Sequence, residues 1–387
     1  MTDNFMGSYL FGISEAFVTA QVLAWVLAFV MLRFILPTTV AGIVASIKIG
    51  AVFIYFVFYA DATFQVGGDS TAYLQGGLDF LERGYPWQLF SDKALTAHFL
   101  YVFHHESGRL IPYLFFYLCL TLFGPDYYAP ILGNVLVTIV SGIYLTKALT
   151  KNSINEAYSK WFLTFFLLHW FTLAWSTILI LKEPLVVLFT CMFVYGVSCL
   201  ERRQWFGVIW ILFSMAALRY TRYYLPVILI IGCLPVYLMT WGKQSWLAAL
   251  AGSALVIYWV TDELAYFLTL VDWKNAGWNA IHFLLQPVPW RITEPAGFLK
   301  LPSILHWLMI IPATIGAALV WHKTRLGKVL VLLCLANLGF FALVPAIGST
   351  RHRAVFDSLF LVMQFEFFWV YLISKWTSFE GRSRGDM

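Results

Sequence analysis

Long apolar runs recur along this chain at a length that only a membrane accommodates. Residues 16–36 carry one charged group, Arg33, and residues 40–59 carry one, Lys48. A helix needs about 20 such residues to cross the hydrocarbon core. Lipid offers no partner to an open sheet edge, so runs of this kind must be helical. The same criterion selects 128–149, 161–181, 184–200, 205–218, 224–241, 245–260, 302–321, 327–346 and 354–374, which gives about eleven expected spans. Those at 205–218 and 245–260 are short and are expected to tilt little or to end at a water-filled cavity. Only 12% of the 387 residues are charged, against about 25% in a soluble domain. The expectation is an all-α polytopic integral membrane protein, built as a single domain over 1–387. The first run spans and no basic segment precedes it, so it reads as a retained helix rather than a cleaved leader. The five cysteines, Cys119, Cys191, Cys199, Cys233 and Cys334, all lie inside apolar stretches and read as small core residues.

Two long segments do not read as spans, 61–127 and 261–301. Within the first, 110–123 (LIPYLFFYLCLTLF) is ambiguous. If it lies on the surface, the basic turns fall on one side: Arg33, Lys147, Lys151, Lys160, Arg202, Arg203, Lys243, Lys323, Arg325, Lys328, Lys375, Arg382 and Arg384. The acids on that side are Glu156, Glu201, Glu380 and Asp386. The positive-inside rule makes this the cytoplasmic face. Both long segments then lie outside, and 61–127 becomes an external cap of short amphipathic helices. The net charge of +5 therefore follows topology and gives no reason to expect nucleic acid.

The external side carries charges where apolar runs should continue. Lys182 and Glu183 interrupt ILKEPL, Arg219 and Arg222 interrupt LRYTRYYLP, and Arg351 and Arg353 follow Gly348 in GSTRHR. Asp69 sits on a glycine turn in DATFQVGGDSTAY, just beyond the second span. Ionisable groups at membrane depth cost several kcal/mol unless they meet partners or water. A polar cavity open to the outside and holding an anionic ligand gives all of them a common reason. The plainer readings are a mutual Lys182–Glu183 pair, interfacial anchoring of Arg219 and Arg222 among tyrosines, boundary charges at Arg351 and Arg353, and an ordinary turn residue at Asp69. His104, His105 and Glu106 read as solvated rather than as metal ligands, and Lys48 and Glu366 have no evident partner.

The external acid soon after an early span, in GGDSTAY, resembles the first external loop of GT-C class glycosyltransferases. LIPYLFFYLCLTLFGPDYYAPILGNVLVTIVSGIYL is similar to their surface helix and following span. LILKEPLVVLF and GSTRHRAVFDSLFLV look like their polar span end and their Arg-x-Arg ending. Protein O-mannosyltransferases and aminoarabinose transferases share this layout. The resemblance implies transfer of a sugar from a polyprenyl-phosphate or -pyrophosphate donor to a glycan, lipid or protein acceptor on the external face. It implies work in cell-surface polysaccharide assembly at a bacterial plasma membrane. Many members pair two acids in this loop, whereas Ser70 follows Asp69 here; a divalent metal stays open as cofactor.

On that reading Asp69 is the general base. Arg219, Arg222, Arg351, Arg353 and Lys182 are ligands for the departing phosphate. Glu183 orients Lys182 or binds the sugar, and Tyr73, Trp175 and Trp290 are candidate stacking faces. Two rivals stay open: an O-antigen-type polymerase, which a late arginine-rich external loop would favour, and a lipid-linked oligosaccharide flippase. Transporters of that kind commonly show repeats or paired broken helices, and the sequence shows neither.

Overall fold

The computed structural model describes residues 14–58, 68–84, 93–105, 107–150, 156–177, 181–240, 267–292, 297–347 and 353–374. Among them every regular element is helical. Sixteen α-helices follow in order: α1 Glu15–Leu32, α2 Thr38–Phe58, α3 Gly68–Glu82, α4 Lys93–His105, α5 Ser107–Phe123, α6 Tyr128–Thr150, α7 Glu156–Leu168 and α8 Trp170–Thr177. The remainder are α9 Glu183–Leu200, α10 Gly207–Arg219, α11 Leu225–Thr240, α12 Ala276–Leu285, α13 Lys300–Leu308, α14 Ile310–Lys323, α15 Arg325–Leu343 and α16 Ala354–Phe368.

This is an all-α membrane protein, but with fewer clear spans than the hydropathy suggests. By length and composition, α1, α2, α6, α9, α15 and α16 with its π-helical end qualify, and α13 with α14, bent by 47°, makes a seventh. The expected span at 161–181 breaks at His169, where the Thr172 hydroxyl donates towards the Phe166, Leu167 and His169 carbonyls and so terminates α7. The stretch 205–218 yields α10, 13 residues long, and 224–241 yields α11, 16 residues with Pro235 inside. The stretch 245–260 lies outside the described residues. Residues 110–123 form most of α5, a 17-residue helix with Pro112 in its second turn.

The chain packs as two compact units interleaved along the sequence. One comprises Met1–Ala148, Ser159–Arg222 and Thr293–Gly297; the other comprises Leu149–Tyr158, Tyr223–Ile292 and Phe298–Met387. In the first, α6 and α9 are the core, with 78% and 83% of their apolar windows buried, against 33% for α1 and 39% for α2. The outer pair is a hairpin tied by Trp25 Nε1, which donates to Ser46 Oγ at 3.0 Å. Small residues set the close approaches, as in many membrane bundles. A Cβ on Gly76 of α3 would run into the Tyr113 ring of α5, and one on Gly77 would lie 3.0 Å from Phe116 Cβ. Between α9 and α10, a Cβ on Gly196 would lie 2.8 Å from the Gly207 carbonyl oxygen, and one on Gly207 would lie 2.6 Å from that of Gly196. With Phe189 against Phe213 further along, this is an antiparallel hairpin. Its turn over 201–206 places Arg203 at a φ of 59°.

Lys48 and Glu366, unexplained by the sequence and both buried, have partners. Lys48 Nζ donates to the Thr172 carbonyl at 3.2 Å, just past the α7–α8 break. In the second unit, Glu366 accepts from Lys323 Nζ at 2.7 Å and from the Tyr158 hydroxyl at 3.0 Å. There α14 crosses α16 at Gly316, where a Cβ would strike the Met363 carbonyl. The α14–α15 corner is capped by Thr324 Oγ1, which accepts from Gly327 N–H at 2.9 Å. On α15, Phe341 stacks on Phe283 of α12 with ring centres 4.8 Å apart.

Candidate functional site

The charged residues that interrupt the runs in the first unit come together at one end of α9 and α10. Glu183 opens α9, and Pro184 beside it occupies the first turn, where a missing N–H costs nothing. A carboxylate there also meets the positive end of the helix dipole. Arg222 lies three residues past the end of α10, and the antiparallel hairpin returns it to that end, where its Nη2 pairs with Glu183 Oε1. The pair is largely buried, with side-chain exposures of 16% for Arg222 and 4% for Glu183. The second carboxylate oxygen, Glu183 Oε2, is equally buried and has no hydrogen-bond partner among the described residues.

Lys182, the residue before α9, turns towards the cap helices instead. Its Nζ donates to the Gly108 carbonyl of α5 at 3.2 Å and stands 5.7 Å from the centre of the Tyr73 ring. Thus Lys182 and Glu183 are not a mutual pair: Glu183 takes Arg222, and Lys182 takes α3 and α5. Tyr73 is buried against Tyr113 and Phe116, with ring centres at 6.4 and 5.9 Å. That packing fits a support for Lys182 better than an open face for a sugar. Asp69 lies in the first turn of α3, four residues before Tyr73. Residues four apart share a helix face, so the backbone sets Asp69 on the Tyr73 side of α3. Arg219 closes α10, and the neighbouring Tyr220 packs on Phe103 of α4 at 5.1 Å.

One positioning contact escapes the sequence reading. Asn134, fully buried in α6, donates to the Leu181 carbonyl at 3.2 Å. Together with the Lys48 contact at Thr172, it holds both ends of the segment from α8 to Lys182. An amide in a core membrane helix was the available signal.

The second unit holds Arg353, which is 1% exposed. Its Nη2 donates to Asp357 Oδ1 at 2.9 Å and meets His306 Nε2 at 2.7 Å, while its guanidinium lies 5.6 Å from the Phe283 ring centre. Arg353 is therefore not an ordinary boundary charge. Its Nε and Nη1 are buried without a hydrogen-bond partner among the described residues. Trp290 also lies in this unit, 73% exposed. Arg351, the neighbouring His352 and Glu106 lie outside the described residues. Trp175 is on α8 by its backbone. Among the described residues, no three of His, Cys, Asp and Glu come together as metal ligands.

No family model, curated protein or solved structure matches the chain. The functional reading rests on this geometry and on the motifs.

Proposed function

We propose that the protein is a membrane glycosyltransferase of GT-C type. It moves a sugar from a polyprenyl-phosphate or -pyrophosphate donor to a glycan, lipid or protein acceptor. Its setting on this reading is cell-envelope polysaccharide assembly, with the site on the external face of a bacterial plasma membrane. The observation that carries the reading is the convergence on α3 and the α9–α10 hairpin. Asp69 stands one turn from Tyr73, Tyr73 lies under Lys182, and Lys182 adjoins the Glu183–Arg222 pair.

In the reaction, Asp69 takes the proton of the acceptor hydroxyl as its oxygen bonds to the anomeric carbon. The bond from that carbon to the donor phosphate oxygen breaks, and the lipid phosphate leaves with the electron pair. Lys182 and Arg219 neutralise the growing charge. Arg222, held by Glu183, adds its positive charge, and Glu183 Oε2 accepts from a sugar hydroxyl. The Arg-x-Arg motif makes Arg351 and Arg353 further candidate phosphate ligands on this reading.

Binding of a polyprenyl-phosphate sugar to the wild type and to Lys182→Ala tests the assignment. Loss of one charge-assisted contact predicts binding weaker by about tenfold or more. Equal affinities would contradict it. One observation favours a second reading: α7 and α8 break at His169, and α13 and α14 bend by 47°. Discontinuous helices are characteristic of transporters, so a flippase for the same lipid-linked sugar is the alternative. Movement of a fluorescent lipid-linked sugar between liposome leaflets, with no transfer, would select it.

A further inference from the structure

A groove on the second unit is lined by Trp290 and by residues that the proposed transfer does not use. The 3₁₀ turn Pro289–Arg291 packs against α13, and Pro289, Trp290, Ile304, Trp307 and Leu308 line the space between them, with Lys300 at one end. Trp290 and Trp307 meet edge to face, with ring centres 4.9 Å apart. Trp307 Nε1 is committed to the Leu285 carbonyl at 2.6 Å, which fixes that wall. The groove continues into an exposed apolar stripe, Leu301, Ile304, Leu308 and Ile311, that follows the helix through its bend.

Lys300 and Arg291 are exposed, and neither makes a hydrogen bond or ion pair with any described residue. Among the described residues, acids answer Arg222, Arg353 and Lys323, and carbonyls answer Lys48 and Lys182. Two cations without an acid partner among the described residues, Lys300 at the end of an apolar, tryptophan-walled groove and Arg291 next to Trp290 in the chain, match a molecule with an anionic head and a hydrocarbon chain. The apolar wall fits a hydrocarbon chain, the indoles fit the interfacial zone, and the cations fit a phosphate.

We propose that this groove is a binding site for an anionic glycerophospholipid. The phosphate sits between Lys300 and Arg291, and one acyl chain runs along Trp290, Ile304 and Leu308. The site does not depend on the glycosyltransferase reading. At 1.5 Å per residue, the nine residues of α13 extend about 13 Å, so the groove holds the upper part of a chain and leaves the rest among bulk lipid.

The test is native mass spectrometry of the purified protein titrated with phosphatidylglycerol or phosphatidylcholine. The variants are Lys300→Ala with Arg291→Ala, the charge-preserving Lys300→Arg with Arg291→Lys, and Trp290→Ala. The residues changed are all exposed, and a symmetric gel-filtration peak establishes that each variant is folded. The wild type is expected to retain one phosphatidylglycerol that the double alanine variant binds about tenfold or more weakly. The charge-preserving variant keeps it, and Trp290→Ala weakens it. Equal retention of the two lipids by the wild type would overturn the proposal, as would equal phosphatidylglycerol retention by wild type and double alanine variant. Displacement of the lipid by inorganic phosphate at matching concentration would also overturn it, since the chain would then add nothing.

Discussion

At the level of single residues, the buried charges of Lys48, Glu183, Arg353 and Glu366 are each answered by another side chain or a carbonyl. Glu183 and Arg222 are the clearest case. Removing one member of a buried pair strands the other, at a cost of about 3–5 kcal/mol. Glu183→Ala and Arg222→Ala are each expected to lower thermal stability in detergent by an amount of that order. Their double variant is expected to lose clearly less than the sum of the two. Additive losses would mean that the pair is not a unit. Tyr158→Phe should cost less, about 1–2 kcal/mol, because Glu366 keeps Lys323. Part of this was legible in the sequence. Lys182, Glu183, Arg219 and Arg222 stand out because they break apolar runs. Their partners do not, because residues 183 and 222 meet only through the glycine crossing of α9 and α10. The Arg353–Asp357 spacing of four is a helical pair in the sequence itself, whereas nothing along the chain ties the distant His306 to Arg353.

At the level of helices, glycines decide which faces meet, and hydropathy carries no record of them. Gly76 and Gly77 seat α3 on α5, and α3 carries Asp69 and Tyr73. Gly77→Val is expected to push α3 off α5, at a cost of about 1–3 kcal/mol. It should also weaken donor binding while Glu183 and Arg222 stay paired. Unchanged donor affinity in a folded Gly77→Val protein would detach α3 from the site. The approach to α12 predicts a pH effect. Asp272 accepts from Asn275 N–H at 3.1 Å and from the side chains of Asn275 and Asn279, which hold its carboxyl below the ordinary carboxylate range. Because the folded-state value is depressed, the contribution is fully present above the ordinary carboxylate range and is lost as pH falls through the lowered value. Protection factors of the α12 amides, which divide out the intrinsic slowing of exchange in acid, should fall at acid pH in the wild type, and that fall should disappear in Asp272→Asn. An equal acid response in that variant would move the effect to another group.

At the level of the whole molecule, the apolar runs among the described residues are all helical, but two of them break into two helices and not all are spans. The run at 161–181 ends at His169 because the Thr172 hydroxyl takes the carbonyls of the last turn of α7. Hydropathy averages across such a break. The class of protein was therefore plain from the sequence, and the breaks were not. Nor could composition reveal that the packed helices fall into two interleaved units. On the proposed function, the Lys182–Glu183–Arg222 cluster, with Asp69 on α3, transfers sugar from a lipid phosphate. The most direct measurement is glycosyl transfer by the purified protein from a panel of radiolabelled polyprenyl-phosphate sugars, with Asp69→Asn beside it. Turnover from at least one donor, reduced about a hundredfold or more by Asp69→Asn, is the predicted result. Saturable donor binding without transfer to any acceptor, or turnover that Asp69→Asn leaves within about tenfold of wild type, would contradict it.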